Sequence, residues 1–223
     1  MLRGKFTVER ARKLQHRLAK QVIREDKLPK TIRYVAGVDV SYYEEWAFGA
    51  ISLHDYDSLA LVEARKARVK TTLPYIPTLL SFRELGPSLA AIKKLKTQPN
   101  VFLVDAQGIA HPYRLGFASH LGVLLDKPTI GVAKSLLCGQ VQPENKAGWA
   151  PIIDKDEIIG AELGSEGGKP IYVSIGHRVT LERAIEIVEH CMRTNRLPEP
   201  IRSAHILATE AKERHKQEIT PQS

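Results

Sequence analysis

Two short, continuously apolar runs constrain this chain most: Val101–Val104 and Thr129–Ala133 carry no polar residue on alternate positions other than the opening threonine. A strand with no polar face is buried on both sides, and that happens in the parallel part of a sheet covered by helices. Helical spacing precedes the first run, at Leu79, Leu80, Phe82, Leu85, Leu89, Ile92 and Leu95, with Lys93, Lys94 and Lys96 where a helix dipole favours cations. A second helical stretch, Leu115–Leu125, separates the two runs. Upstream, Val35–Ser41, Trp46–Leu53 and Ala60–Val69 are β-type runs divided by polar turns, which predicts an antiparallel meander.

The predicted order, three strands followed by α-β-α-β, is that of a ribonuclease H-like sheet: an α/β fold with three antiparallel strands, parallel strands and flanking helices. Farther along, Ile158–Leu163 and Ile171–Ile175 flank Gly164-Ser165-Glu166-Gly167-Gly168, which reads as a hairpin turn rather than a phosphate loop. Helices are expected at Leu181–Met192 and Ile201–Arg214, and at 8–27 near the amino terminus. A length of 223 residues suits one domain spanning 1–223, with a flexible tail after about residue 215.

Charge narrows the partner. The formal net charge is +8, and residues 1–30 hold ten Lys/Arg against three acidic residues. Ala11, Leu14, Leu18 and Val22 would dock the first helix, while Arg10, Lys13, Arg17, Lys20, Arg24 and Lys27 form a stripe beside them. Such a stripe is either a solvated face or a phosphate-tracking surface, the latter centred on Arg10, Lys13 and Arg17. No apolar run approaches the roughly 18 residues a membrane span needs, and no signal-type h-region follows the basic start, so a cytoplasmic monomer without membrane contact is expected. Cys138 and Cys191 are too far apart for ligand spacing and read as reduced thiols.

Two aspartates stand out by context. Asp39 interrupts Val35-Ala36-Gly37-Val38-Asp39-Val40, where alternation puts it on the face opposite Val38 and Val40; Asp105 closes Val101–Val104 at a strand's carboxyl end. Singly, each would more often be a turn or cap. If their strands are neighbours, the carboxylates converge, and a divalent cation relieves the repulsion. With no Cys or His cluster, oxygen ligands suit Mg2+, with Mn2+ as substitute, rather than zinc. Glu84 sits in the first turns of the intervening helix, as a third ligand or an ordinary helix-start acid.

The chain resembles the endonuclease V family. The resemblance rests on Val38-Asp39-Val40-Ser41-Tyr42, Pro74-Tyr75-Ile76-Pro77, Ser81-Phe82-Arg83-Glu84, Asp105-Ala106-Gln107-Gly108 with His111-Pro112, Gly116 to Gly122, Gly131-Val132-Ala133-Lys134-Ser135 and Val173 to Arg178, in the family's order over about residues 8–210. It implies that Asp39, Glu84 and Asp105 hold the metal, that Lys134 and His205 complete the catalytic set, and that Pro74, Tyr75, Ile76 and Pro77 form a wedge with Tyr75 at its tip. A lesion pocket is expected around Thr78, Leu80, Gly108, Gly131 and Leu137, with His111 as a hydrogen-bonding support; His120 and His177 are read as structural. The implied activity is cleavage of DNA containing deoxyinosine at the second phosphodiester bond 3′ to the lesion, leaving 3′-hydroxyl and 5′-phosphate ends. Two positions depart from the family pattern: Ala106 stands where glycine usually follows the aspartate, and Thr78 where glycine usually follows Pro-Tyr-Ile-Pro.

Alternatives are an inosine-specific ribonuclease, another ribonuclease H-like nuclease, and a non-catalytic nucleic-acid-binding module. Pro-Tyr-Ile-Pro and His111-Pro112 speak against other nucleases of this fold. Three acids beside a phosphate site speak against a mere binder, because they weaken anion binding without metal.

Overall fold

The computed structural model describes residues 6–71, 73–164, 168–193 and 196–219. Strands β1 (Tyr34–Tyr43), β2 (Trp46–Asp55) and β3 (Leu61–Lys70) form the expected antiparallel meander. β4 (Val101–Val104) pairs in parallel with β1, and β5 (Thr129–Ala133) pairs in parallel with β4. All nine residues of β4 and β5 are buried, which is why both read as unbroken apolar runs. β6 (Gln140–Val141), β7 (Ala150–Asp154), β8 (Glu157–Leu163) and β9 (Ile171–His177) complete one nine-stranded sheet in the order β3-β2-β1-β4-β5-β9-β8-β7-β6. This is the ribonuclease H-like mixture of antiparallel and parallel strands.

Helices α2 (Leu80–Ile92) and α3 (Phe117–Leu125) pack on one face, and α4 (Leu181–His190) and α5 (Glu199–Ile219) on the other. Period-two alternation splits the core accordingly. Ala36, Val38, Phe102 and Val104 pack with Leu85, Phe117 and Leu121, while Val35, Leu103 and Val132 pack with Ile185, Val188 and Ile201.

Several boundaries differ from expectation. Helix α1 spans Val8–Ala19, capped by the Thr7 side chain, and ends well short of residue 27. Beyond it, Ile23 N–H donates to His177 Nδ1, Arg178 N–H donates to the Ile23 carbonyl, and Lys27 N–H donates to the Arg178 carbonyl. An extended segment lets both Val22 and Leu28 reach the core, which a continued helix would not. Lys20, Arg24 and Lys27 therefore leave the basic stripe, Arg24 pairing with Glu157 and Lys27 with Glu25. The buried stripe of α1 is Ala11, Gln15 and Leu18, with Leu14 only partly covered. α5 continues to Ile219, past the tail boundary expected near residue 215, and 220–223 lie outside the described residues. β6 and β7 were not anticipated: one is two residues long and the other is mostly half-buried, so neither leaves a pattern. β8 and β9 pair antiparallel as expected of a hairpin, although 165–167 of its turn lie outside the described residues.

Two glycines set how closely the helices approach. A Cβ at Gly37 of β1 would lie 1.9 Å from the Pro200 carbonyl oxygen at the start of α5, and one at Gly49 of β2 would lie 2.3 Å from the Pro87 carbonyl oxygen of α2. Ser52, opposite Gly37, donates its hydroxyl to the same Pro200 oxygen at 2.7 Å. Gly37→Ala is expected to force α5 away from β1 and to destabilise the protein by about 1–3 kcal/mol, as overpacking does. At about 2–4 °C per kcal/mol for a chain of this size, calorimetry should read a clear fall in Tm. An unchanged Tm would show that α5 does not depend on that contact.

Candidate active site

The site begins with a register. Val38 of β1 lies opposite Val104 of β4, and the Asp105 N–H continues the ladder by donating to the Val38 carbonyl at 3.0 Å. Asp39 and Asp105 each follow one residue later, on neighbouring parallel strands at their carboxyl ends. β4 stops there while β1 runs on to Tyr43, so the two carboxylates sit where the sheet opens. The convergence expected from the sequence is thus present.

α5 lies on the Gly37 face of β1, and two residues along that face comes Asp39. His205 reaches it from α5, Nδ1 standing 2.7 Å from Asp39 Oδ2. Lys134, just past β5, donates from Nζ to Asp105 Oδ2 at 2.5 Å. One ligand atom from each of Asp39, Asp105 and His205 lies within 4.8 Å of the others. Glu84 comes from α2 on the opposite face and is buried, outside that tightest group but close enough to feel both aspartates.

The electrostatics follow from the packing. Burial, reinforced by the charge of Asp105, raises the pKa of Asp39, and the His205 hydrogen bond opposes this. Burial also raises Glu84 well above an ordinary glutamate, with Asp39 and Asp105 adding to it. Glu84 Oε2 has no hydrogen-bond partner among the described residues. Three gathered carboxylates, one with an orphaned oxygen, are the donor set that a hard divalent cation satisfies, so the residues present fit Mg2+ or Mn2+.

The chain running on from Asp105 forms the wall of a cavity of about 100 Å3, lined by residues including Ala106, Gln107, Thr78, Leu80, Leu115 and Leu137. Thr78, Leu80 and Leu137, three of the residues expected around a lesion pocket, thus line one cavity together. Gly108 and Gly131 are not in its lining but stand behind it: a Cβ at Gly131 would meet Gly108 N at 2.4 Å and the Ala106 carbonyl at 2.6 Å, so the wall can lie flat on β5 only over a glycine. Tyr75 lines the rim and is 63% exposed, with Pro74, Ile76 and Pro77 around it, so the ring projects and is not a core residue.

His111 also lines the cavity; its Nδ1 accepts from the Tyr113 N–H, and burial lowers its pKa to about 4. His120 pairs with the Ser81 hydroxyl and His177 with the Ile23 N–H, and both are buried. Arg10, Lys13 and Arg17 are exposed along α1, at the edge of a groove floored by Leu18, Phe82 and Leu85. The sequence reading missed Gln15, Arg12 and Gln107. Gln107 ties the pocket wall to the Lys134 segment by donating to the Ser135 carbonyl at 2.8 Å, and no spacing signals such a contact.

Comparison with known proteins agrees with this geometry. A family model described as Endonuclease V matches residues 16–206. An Endonuclease V of Thermofilum pendens is 48% identical over 206 residues, 92% of this chain and 88% of that protein. One of Rippkaea orientalis is 51% identical over 208 residues, 91% of this chain and 90% of that protein. The crystal structure of Endonuclease V from Streptomyces avermitilis superposes with a TM-score of 0.88 at 35% identity, covering 95% of this chain and 96% of that one. Ciona intestinalis Endonuclease V, in complex with a 24mer DNA containing an inosine followed by a ribo-adenosine, superposes with a TM-score of 0.83 at 33% identity, covering 93% and 98%. No described helix is long and apolar enough to cross a membrane.

Replacing Asp39 or Asp105 by Asn removes a ligand charge with little change of shape. Titrating Mn2+ and following its electron paramagnetic resonance signal should show each variant binding at least about tenfold more weakly, a loss near 1.4 kcal/mol. Wild-type affinity in both variants would move the metal away from this cluster.

Proposed function

Because the chain belongs to the endonuclease V family, we propose that it is a divalent-metal-dependent DNA repair endonuclease that recognises deoxyinosine and hydrolyses the second phosphodiester bond 3′ to it, leaving 3′-hydroxyl and 5′-phosphate ends. One observation carries the reading: the acid cluster and the pocket are consecutive in the chain, Asp105 belonging to the first and Ala106 and Gln107 to the second. A base held in the pocket keeps its own strand beside the carboxylates.

Asp39, Asp105 and Glu84 would hold the cation, which would activate a water and offset the negative charge that builds up on the phosphoryl oxygens. Lys134 brings a fixed positive charge to the phosphate side of Asp105. His205, its ring oriented by the Nδ1 contact with Asp39, positions the water or carries a proton. The base is read outside the stack, where a main-chain N–H in the pocket donates to the 6-carbonyl of hypoxanthine and disfavours the 6-amino group of adenine. Tyr75, exposed and bracketed by prolines, would take the vacated place in the stack. Arg10, Lys13 and Arg17 would track the phosphates.

With Mg2+, an end-labelled duplex carrying one deoxyinosine should be cut at the second bond 3′ to it, and an adenine duplex should stay intact. Cutting at the first bond, or only of inosine-containing RNA, would overturn the assignment. Tyr75→Ala is expected to weaken binding to the inosine duplex about tenfold, since base–aromatic stacking is worth roughly 1–3 kcal/mol. The loss should be smaller on single-stranded inosine, and equal losses on both would reject the wedge.

Charge reversal on the first helix gives a separate readout. In R10E/K13E/R17E the slope of log K against log salt should flatten by about 0.9 for each phosphate that the helix no longer neutralises. An unchanged slope would return that face to solvent.

A further inference from the structure

Thr78 adopts φ +66°, the left-handed region, which a β-branched residue enters only when its surroundings hold it there. The holder is visible. Gln15 of α1 is completely buried, and its Nε2 donates to the Thr78 carbonyl at 2.8 Å and to the Leu115 carbonyl at 3.2 Å. Its Oε1 accepts from Arg12 at 2.9 Å, so every polar atom of the side chain is used. Arg12 reaches on to the Pro77 carbonyl at 3.2 Å and, more weakly, to the Thr78 carbonyl at 3.4 Å, and stacks over the Tyr113 ring, 4.3 Å from its centroid. His111, whose Nδ1 accepts from the Tyr113 N–H, lines the same cavity as Thr78.

Thr78 and Leu115 are two walls of the cavity beside Tyr75, so one buried amide fixes both their separation and the turn that follows Pro77. We propose that Gln15, oriented by Arg12, is a positioning residue: it pins Thr78 in the left-handed conformation and thereby sets the Tyr75 loop and the width of the base pocket, without touching nucleic acid. The catalytic consequence rests on the inosine endonuclease reading above. The clamp itself rests only on the hydrogen bonds and the backbone angle. Glycine takes a positive φ about as readily as a negative one, so a glycine at 78 needs no clamp, whereas threonine does.

The test is a cycle of Gln15→Met, Thr78→Gly and the double variant. Methionine keeps the unbranched shape and helix propensity of glutamine but donates nothing. Hydrogen exchange followed by mass spectrometry should show faster exchange over residues 73–79 in Gln15→Met, with no substrate present. On the inosine duplex, KM should rise about tenfold with kcat within about threefold, because the base is placed less often while the acids are untouched. Because Thr78 itself lines the pocket, the double variant is compared with Thr78→Gly alone, and the KM values of these two should agree within about threefold. Gln15→Leu, which also removes the donor and leaves the Arg12 contacts with Pro77 and Thr78 in place, should shift both readouts in the same direction and serves if Gln15→Met does not fold.

Unchanged exchange over 73–79 would overturn the clamp. So would a loss falling on kcat alone, or a Gln15→Met effect on KM as large in the Thr78→Gly background as in the wild type. A wild-type protein that leaves inosine DNA uncut would overturn the functional reading instead, and the exchange measurement would still decide the clamp.

Discussion

Repulsion among buried carboxylates governs the rest of this molecule. Two unit charges about 4 Å apart interact by about 1 kcal/mol in water and about 4 kcal/mol near a protein surface, so gathering Asp39, Asp105 and Glu84 at a half-buried sheet end is costly. The fold imposes the cost through the β1–β4 register, which leaves the two aspartates side by side. It answers with Lys134 on Asp105 and His205 on Asp39, and among the described residues Glu84 Oε2 has no hydrogen-bond partner. Burial first, and the neighbouring acids second, raise the Asp39 and Glu84 pKa values. A divalent cation is the simplest remedy consistent with the donor atoms.

How well such a site can be held depends on helix-to-sheet distance. Glu84 and His205 approach from opposite faces, on α2 and α5, and each helix reaches the sheet over a glycine. Misplacing a reacting group by about 1 Å can cost a factor of about 10² in rate. Gly37 and Gly49 thus matter to chemistry as well as to stability, although neither carries a functional group. The Ser52 hydroxyl on the Pro200 carbonyl fixes where α5 begins, and His205 lies little more than one turn later.

What could be read in advance follows from which interactions leave a pattern. β1 to β5 were legible because burial on one or two faces writes itself as alternation or as an unbroken apolar run. Asp39 and Asp105 were legible because a carboxylate in such a run needs a reason. Glu84, Lys134 and His205 were not, since a helix-start acid, a strand-end lysine and a lone helical histidine are each ordinary; resemblance singled them out, and the structure brings them together. The end of α1 was misread because helical spacing persists to Val22, while the hydrogen bonds to His177 and Arg178 that end it come from about 150 residues away. Gln15 was missed for a related reason: a glutamine beside Leu14 reads as surface, and only the folded chain reveals carbonyls waiting on both sides of it.

That glutamine gives α1 two jobs on two faces. The helix has 12 residues, about 18 Å in length, and one so short is marginal alone, so its position is set by what it docks against. Its docked stripe is Ala11, Gln15 and Leu18, and a buried amide without partners would cost more than the helix could supply. Satisfied by Thr78 and Leu115, it becomes directional where an apolar side chain would be merely adhesive. Arg10, Lys13 and Arg17 ride on the same rigid rod. Arg12 and Gln15 of that same helix bond the Pro77 and Thr78 carbonyls, in the loop bearing Tyr75. Under the proposed function, the helix that contacts the phosphate backbone is also the one whose Gln15 holds Thr78 beside the wedge, and it holds Thr78 in the left-handed conformation with no nucleic acid bound.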